Sequence, residues 1–358
     1  MEQIDLKKIR SLIKESSNTL VFTNRNSFYT NEFDKLLVDS PDPDKNKITF
    51  YNDFEINPKI EDISKALCHL DQDNHDLIVG IGGGTPLDFA KAFCYFKEFD
   101  KKEVNDLMEL VKKPVEITKK TSLALIPTTC GSGSEATEFS VIYYQKKKFS
   151  LSVSSLLPDY YLLDGVFIES LPRKILAFTA LDSITHATES FWSKNATQKS
   201  KEIAIKSLRL SHENLEKAFI HNDKQALNNL LEASNLAGQA INITKTTAVH
   251  ALSYYLTTYY SIPHGQAVGN LLPYLIEINS NNKDYNEMFS AFDCNTASEY
   301  KTKIILLLKN LNIYLDLEKI IDNVEELVDS VNIERLANNP IDLNREQLLS
   351  LFTHHHKG

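Results

Sequence analysis

Cysteine and long apolar runs are both scarce in this 358-residue sequence. The four cysteines are scattered and form no CxxC pair; they are Cys68, Cys94, Cys130 and Cys294. This spacing favours a reduced, cytoplasmic compartment. The sequence contains no run of about 18 apolar residues, the length needed to span a bilayer. Its charged N-terminus lacks the apolar core of a signal peptide. We therefore expect a cytoplasmic protein without a membrane partner.

A block of basic residues is missing too. The net charge of −9 is spread along the chain, which argues against nucleic acid as the main partner because no basic footprint is present. An anionic substrate is still allowed, since a local pocket can oppose the overall sign of charge. The composition, 42% hydrophobic and 24% charged, is that of a globular protein, and the length predicts about two domains.

Strand and helix patterns alternate in the first half of the chain and give way to helices in the second. The predicted strands are 19–23, 47–51, 76–84 and 122–129, and the predicted helices are 30–38, 58–70 and 85–96. This alternation favours a parallel, Rossmann-like sheet. From about Pro172 onward helical periodicity dominates. The predicted fold class is α/β plus all-α, with an α/β domain over 1–170 and a helical domain over 171–358.

The common GxGxxG fingerprint is absent, but two other glycine-rich loops follow predicted strands. GIGGGTPLDFAK (80–91) opens a helix, whose free N–H groups and dipole attract phosphate. A simple tight turn is the alternative. IPTTCGSGSEATEFS (126–140) is the second loop, and two loops on successive strand ends fit a dinucleotide lying across the sheet edge. Lys148, in QKKKFS, either reaches the same edge or is a solvated charge.

A candidate metal site begins in ALDSITHATES (180–190). Asp182 and His186 are four residues apart, so a helix places both on one face. His250 follows in TKTTAVHALSYY and His264 in SIPHGQAVG. One carboxylate with imidazoles suits a divalent transition metal such as Fe²⁺ or Zn²⁺. The alternative is a set of structural histidines and an exposed Asp182–His186 pair.

Five segments together resemble the iron-containing alcohol dehydrogenases in order and spacing, over roughly residues 76–275. They are GGGTPLDFAK, IPTTCGSGSEAT, LLPDYYLLD, ALDSITHATESFWS and HGQAVGNLLPYLIEIN. The resemblance implies a dehydroquinate synthase-like architecture. It also implies an enzyme that uses NAD(P)H and either Fe²⁺ or Zn²⁺. It implies the metal ligands Asp182, His186, His250 and His264. It also implies dinucleotide contacts from Gly82, Gly83, Gly84, Thr85, Asp88, Thr128, Thr129, Ser132, Ser134 and Lys148.

The sequence departs from many members of that family at one place. The family often has a histidine four residues after the third ligand, where this chain has Tyr254. With an unperturbed pKa of about 10, tyrosine is a poorer proton carrier, so water, a ribose hydroxyl and Tyr254 are all candidate proton donors. In this family the residue after the first strand often decides cofactor choice, and an aspartate there favours NAD. Here Asn24 and Arg25 stand there, so we expect NADP to be accepted.

A narrower resemblance is to the branch that reduces phosphonoacetaldehyde to 2-hydroxyethylphosphonate. AGQAINITKTTAVHALSYYLT, FWSKNAT and RLANNP carry it. A phosphonate needs cationic and hydroxyl partners, and Lys245, Thr246 and Thr247 lie within one to two helical turns of the third ligand. Lys194 and Arg209 are candidate helpers. The alternative is a surface lysine, with threonines that cap a helix start.

Other functions are compatible with parts of the pattern. A general iron-containing alcohol dehydrogenase acting on small aldehydes or alcohols is the main alternative. A dehydroquinate synthase-like lyase would show no net NAD(P)H consumption, and a non-catalytic binding protein would turn over no aldehyde. We expect the chain to form a symmetric homodimer.

Overall fold

The structure is a computed structural model that describes residues 1–24, 35, 47–70, 74–145, 147–281, 283–331 and 336–352. Helices and strands are numbered over these residues. The chain divides into two compact units, Met1–Thr129 with Gly133–Ser170 and Cys130–Ser132 with Leu171–Gly358. Arg25 lies outside the described residues, as does the predicted helix at 30–38 apart from Lys35.

A six-stranded parallel sheet forms the centre of the first unit, in the order β1-β8-β5-β4-β2-β3. Side chains alternate across it: Leu20 and Phe22 enter one buried cluster, and Val21 enters the cluster on the opposite face. Burial on both faces explains why the strands read as continuous apolar runs. The strands are β1 Glu2–Ile4, β2 Asn18–Thr23, β3 Lys47–Tyr51, β4 Leu77–Gly82, β5 Ser122–Pro127 and β8 Tyr160–Leu162.

Helices and one hairpin cover this sheet. The helices are α1 Leu6–Glu15, α2 Ile60–Leu70, α3 Gly84–Phe96 and α4 Val104–Lys112, and the antiparallel hairpin is β6 Phe139–Tyr144 with β7 Lys147–Ser152. From Pro86 to Phe96 every residue of α3 is buried, because the helix packs against the sheet and against the hairpin. The glycine loop at 80–84 therefore runs directly into the most buried helix of the unit.

Helices make up the second unit in the described part of the chain. They are α5 Arg173–Trp192, α6 Gln198–His221, α7 Lys224–Thr244, α8 Ala248–Tyr259, α9 His264–Ser280, α10 Asn286–Ser290, α11 Ala297–Asn310, α12 Leu317–Ile320, α13 Val324–Asp329 and α14 Arg345–Ser350. α5 is central, packed by α6, α7 and α9. Among the described helices, none combines the length and apolarity needed to cross a membrane. A parallel-sheet unit followed by a helical unit confirms the predicted fold class.

Two glycines let α9 approach α5 closely. A Cβ on Gly265 would lie 1.9 Å from the carbonyl oxygen of Phe178, and one on Gly269 would lie 3.1 Å from Leu181 Cβ. The contact at Gly265 is with a backbone atom and is far under 3.0 Å, so a side chain there would force the two helices apart. Because Gly265 directly follows His264, this contact fixes the start of α9 against α5, the helix that carries Asp182.

Candidate metal centre and nucleotide loops

Three of the predicted ligands, all histidines, lie around a carboxylate oxygen of the fourth, Asp182, in the helical unit. Asp182 Oδ1 lies 3.8 Å from His186 Nε2, 3.4 Å from His250 Nε2 and 3.7 Å from His264 Nε2. These distances exceed the usual hydrogen-bond range. They are near the separation of about 3.4 Å between two ligands that share a tetrahedral ion at bond lengths of 2.0–2.2 Å. The spacing is therefore that of groups around a shared cation.

The chemistry of the cluster fits a divalent metal. Asp182 Oδ1 and His250 Nε2 are buried, and neither has a hydrogen-bond partner in the described part of the chain. A buried polar atom without a hydrogen-bond partner lowers the stability of the fold by about 1–3 kcal/mol. A bound cation would give both atoms a partner. One ligand atom from each of Asp182, His186 and His250 lies within 4.8 Å of the others. The side chain of His264 is 37% exposed, at the rim.

Two groups of this cluster have protonation states that suit metal binding. Burial alone would lower the pKa of the third, His250, but Glu189 and Asp182 outweigh it and raise that pKa. Burial lowers the pKa of His186 to about 4, although the nearby Asp182 opposes the shift. Burial alone would raise the pKa of Asp182, but the imidazoles of His186, His264 and His250 outweigh it and hold that pKa below its ordinary value. Near neutral pH the cluster thus offers a carboxylate and the neutral imidazole of His186, which are the forms that coordinate metals.

An oxygen acceptor lies behind each of the two buried imidazoles. His186 Nδ1 lies 3.2 Å from the carbonyl oxygen of Gly131, and His250 Nδ1 bonds to the carboxylate of Glu189. Glu189 was missed by the sequence reasoning. A signal was available, because it lies three residues after His186 and seven after Asp182, on the same face of α5.

The segment TKTTAVHALSYY is not one helix, contrary to the spacing argument made from the sequence. Helix α7 ends at Thr244 and α8 begins at Ala248, so residues 245–247 form a turn between them. Thr247 is fully buried: its hydroxyl donates to Glu189 Oε1 at 2.6 Å and accepts from Trp192 Nε1 at 3.0 Å. The hydroxyl of Thr247 is therefore engaged inside the unit, and its contact with substrate stays a prediction.

The other predicted substrate residues have varied surroundings. The ammonium of Lys194 pairs with the carboxylate of Asp342, which is largely exposed, and the role of Lys194 as a helper stays a prediction. Arg209 is exposed in the middle of α6. Tyr254 is half-buried on α8, one turn after His250. Thr246 is 5% exposed. Substrate contact by Arg209, Tyr254 and Thr246 stays a prediction.

The predicted dinucleotide residues of the first unit gather at the carboxyl edge of its sheet. Asn24 follows β2, Gly82 ends β4 and Thr128 follows β5, and these three strands are neighbours. Gly82 has a φ of 150°, and Gly83 caps the start of α3. The chain leaves β2 towards β3 and β4 towards β5, in opposite directions, which marks the usual binding crevice of such sheets. Gly84, Thr85 and Thr129 lie beside these positions.

Two predicted contact residues are bonded to each other beneath the second loop. Ser134 Oγ donates to Asp88 Oδ1 at 2.5 Å, and Val141 N donates to Asp88 Oδ2 at 3.0 Å. The fully buried Lys91 donates to the carbonyls of Ser134 and Phe139 at 2.8 and 2.6 Å. Asp88 and Ser134 thus have an internal role that the sequence reasoning did not foresee. Whether they also contact the cofactor stays a prediction.

Ser132 and Lys148 occupy different surroundings from the glycines. Ser132 belongs to the short segment Cys130–Ser132 that groups with the helical unit, and Lys148 is half-buried on β7. Their contact with a dinucleotide also stays a prediction.

A parallel sheet ending in glycine loops, followed by helices that join a carboxylate to imidazoles, defines the class of metal-dependent, nucleotide-binding enzymes. Comparison with known proteins narrows this class. Residues 2–165 match the family model "Iron-containing alcohol dehydrogenase", and residues 176–356 match "Fe-containing alcohol dehydrogenase family, C-terminal". The chain belongs to the iron-containing alcohol dehydrogenase family and is an oxidoreductase of that family.

Individual relatives agree with this assignment. The chain is 28% identical over 316 residues to the NADPH-dependent butanol dehydrogenase of Clostridium saccharobutylicum, covering 83% of this chain and 81% of that protein. It is 27% identical to an iron-containing alcohol dehydrogenase structure from Thermotoga maritima, with a TM-score of 0.81 over 97% of this chain and 93% of that one. A sulfoacetaldehyde reductase from Bifidobacterium kashiwanohense, solved with NAD⁺, has a TM-score of 0.89 at 24% identity, covering 98% and 96%. That last likeness concerns the fold.

Proposed function

We propose that this chain reduces a small aldehyde that carries an anionic group, with NAD(P)H as hydride donor and Fe²⁺ or Zn²⁺ as its metal. Phosphonoacetaldehyde, which would give 2-hydroxyethylphosphonate, is the proposed substrate. The observation that carries the anionic specificity is the backbone of Lys245. Its φ of 61° and ψ of 176° lie in a region that is almost reserved for glycine.

Lysine is a costly residue in this conformation. The region costs a residue with a Cβ about 1–3 kcal/mol, which glycine would avoid. Bonds on either side hold the segment in place: Lys245 N donates to the carbonyl of Ile241 at 2.8 Å, and Asn338 Nδ2 donates to that of Thr246 at 3.4 Å. Backbone strain of this kind concentrates at functional sites. We therefore assign the ammonium of Lys245 to the anionic group of the substrate.

The anion grip consists of Lys245 and Thr246, with Arg209 as a further cationic candidate. An ammonium and a hydroxyl give an oxyanion charge-assisted hydrogen bonds, which are stronger than neutral ones. The turn that carries Lys245 and Thr246 leads directly into α8, and His250 lies in the first turn of that helix. This position in the chain supports a grip beside the metal ligands.

The remaining chemistry follows from the cluster and the loops. Asp182, His186, His250 and His264 hold the metal, which when bound polarises the aldehyde oxygen as a Lewis acid. The glycine loops bind and orient the hydride donor. Tyr254, a ribose hydroxyl or water delivers the proton to the product oxygen.

Asn24 places no carboxylate after β2 to repel a 2′-phosphate, so NADPH is accepted as well as NADH. The active form is a symmetric homodimer.

A general alcohol dehydrogenase acting on uncharged aldehydes is the second candidate. The similarity to a butanol dehydrogenase favours it. The two candidates differ in what they require of Lys245, because an uncharged aldehyde gains nothing from an ammonium at that position.

The test compares Lys245→Ala and Lys245→Gly with the unaltered chain on phosphonoacetaldehyde and on propanal. Turnover is followed by NADH and NADPH absorbance with added Fe²⁺ or Zn²⁺. Loss of the ammonium is expected to lower kcat/KM for phosphonoacetaldehyde by about 10- to 100-fold and to leave propanal little changed. Lys245→Gly also relieves the backbone strain, so its Tm should match or exceed that of the unaltered chain.

Lys217→Ala, an exposed change on α6 that has no predicted role, is the matched control. An equal loss on both aldehydes in the Lys245 variants would contradict the anion grip and favour the general dehydrogenase. Absence of NAD(P)H consumption with every aldehyde and both metals would contradict the reductase itself.

A further inference from the structure

We infer that Glu189 is a positioning residue that fixes which nitrogen of His250 faces the metal cluster. The inference rests on the proposed metal centre, and it concerns a residue outside the ligand set. Glu189 and His250 lie on different helices, α5 and α8, yet their side chains are bonded and buried, with exposures of 0% and 2%. The carboxylate of Glu189 thus connects the start of α8 to the helix that carries Asp182 and His186.

Both oxygens of the Glu189 carboxylate act as acceptors. Oε1 accepts from Thr247 N at 3.1 Å, from Val249 N at 2.9 Å and from the Thr247 hydroxyl at 2.6 Å. Oε2 accepts from His250 Nδ1. The backbone donors belong to the N-terminus of α8, where helical N–H groups lack partners within the helix and favour a negative charge. Although Thr247 is the N-cap residue, its side chain makes no cap bond, so Glu189 takes over the capping from another helix.

This acceptor decides the tautomer of His250. An ionised carboxylate has no proton to donate, so the proton of a neutral His250 ring must be on Nδ1. The lone pair then lies on Nε2, the atom 3.4 Å from Asp182 Oδ1 and without a hydrogen-bond partner among the described residues. A carboxylate behind an imidazole ligand both orients the ring and raises its basicity.

The same arrangement occurs independently at His186. Its Nδ1 faces the carbonyl oxygen of Gly131 at 3.2 Å, which is also only an acceptor, and its Nε2 faces Asp182. Gly131 is held tightly there, since a Cβ on it would lie 2.7 Å from the carbonyl oxygen of Thr179. Two imidazoles backed by acceptors make an accidental tautomer at His250 a poor explanation.

Glu189→Gln separates the positioning role from simple capping. The glutamine oxygen can still accept from the backbone of α8, but its amide then presents N–H groups to His250 Nδ1. Nδ1 must accept, so the proton moves to Nε2 and removes the lone pair that faces Asp182. A capping residue alone would lose only stability, and the tautomer would stay as it is.

The experiment uses the full chain without metal, with ¹⁵N-labelled histidine observed by NMR at a pH high enough that the His250 ring carries a single proton. The His250 signals are assigned by their loss in His250→Asn. We expect the proton on Nδ1 in the unaltered chain and on Nε2 in Glu189→Gln. Competition with a chelator is expected to show Zn²⁺ affinity lowered by about 10- to 100-fold in Glu189→Gln. Glu216→Gln, an exposed change on α6, is the control for lost charge and should match the unaltered chain.

Each outcome has a definite meaning. A neutral His250 ring with its proton on Nε2 in the unaltered chain would overturn the inference, even if Glu189→Gln failed to fold. Zn²⁺ affinity equal to that of the unaltered chain in a folded Glu189→Gln would reduce Glu189 to a cap and leave the proposed function intact. Absence of Zn²⁺ and Fe²⁺ binding by the unaltered chain would overturn the metal centre, and the role of Glu189 with it.

Discussion

The metal cluster of the helical unit is built from side chains, whereas the glycine loops of the α/β unit are built largely from backbone. In the cluster, Asp182 Oδ1 and His250 Nε2 are buried without a hydrogen-bond partner in the described ranges. At the second loop, Ser134 donates to the carboxylate of Asp88, and Lys91 donates to the backbone carbonyls of Ser134 and Phe139. One region keeps polar atoms ready for a cation, and the other uses its polar atoms to hold a backbone surface in shape.

This difference determines what each region depends on. The cluster needs helices distant in sequence to meet closely, which Gly265 and Gly269 allow. The loop at 80–84 needs only consecutive residues at one strand end, with Gly82 at a φ of 150°. A change that separates two helices should therefore disable the cluster, while the loop should respond mainly to changes within itself.

The largest effect is expected from Gly265→Ala. The added Cβ would lie 1.9 Å from the carbonyl oxygen of Phe178, so α9 must move away from α5 and carry His264 with it. We expect a loss of about 3 kcal/mol or more in unfolding free energy and loss of tight Zn²⁺ binding. Denaturant unfolding and chelator competition measure the two effects.

Gly83→Ala is the matched change in the other region. A Cβ on Gly83 would meet Thr129 at 3.4 Å, an ordinary contact, so the fold and the Zn²⁺ affinity should be kept while NADH binding weakens. Equal losses of unfolding free energy in Gly83→Ala and Gly265→Ala would contradict the conclusion that only the cluster depends on close helix packing. Unchanged NADH affinity in Gly83→Ala would remove Gly83 from the predicted cofactor contacts.

Lys91→Met should have the next largest effect, confined to the α/β unit. It leaves the carbonyls of Ser134 and Phe139 and the hydroxyl of Thr137 without their charged donor. We expect a loss of about 3 kcal/mol in unfolding free energy, faster hydrogen exchange over residues 134–141, and no change in Zn²⁺ affinity. Lys113→Met, an exposed change, is the control. Weakened Zn²⁺ binding in Lys91→Met would show that the two regions are not independent.

The smallest expected effect is a pH dependence of the unfolding free energy that arises from Lys91. Burial lowers the pKa of Lys91 from 10.5 to about 8, against the opposing charges of Asp88 and Glu135. Between those values the unfolded chain binds more protons than the folded one, so stability rises with pH. The unfolding free energy of the unaltered chain minus that of Lys91→Met should rise by about 1.5 kcal/mol from pH 8 to 9.5. A flat difference would mean that Lys91 titrates normally.

Local patterns predicted the parts of the fold that depend on neighbours in sequence. The runs at 19–23, 47–51, 76–84 and 122–129 became β2 to β5, because strands buried on both faces are apolar throughout. Strand β1 was missed, since three residues carry little pattern and β1 is defined by its pairing with β8, more than 150 residues away. The hairpin β6–β7 also went unpredicted, because polar side chains interrupt both of its strands.

The site residues also divide into those that local sequence spacing predicts and those that only tertiary packing brings together. Four-residue spacing was enough to place Asp182 and His186 on one face, but only tertiary packing brings His250 and His264 to them. Their assignment came from the family resemblance. Residues 245–247 were expected within a helix, and the turn there depends on bonds to Glu189, Trp192 and Asn338 that no local pattern reveals. Glu189 itself was overlooked because its partners lie on another helix.

The acceptors behind His186 and His250 also bear on how the protein selects its metal. Because Gly131 and Glu189 fix both rings beforehand, a cation that enters the cluster needs little rearrangement of the buried side chains. One carboxylate with imidazoles suits both Fe²⁺ and Zn²⁺, so this donor set alone does not choose between them, and the intrinsic affinity order of the two ions then decides occupancy together with supply. The metal content of the purified protein should accordingly follow the growth medium, with Zn²⁺ displacing Fe²⁺ wherever both are plentiful.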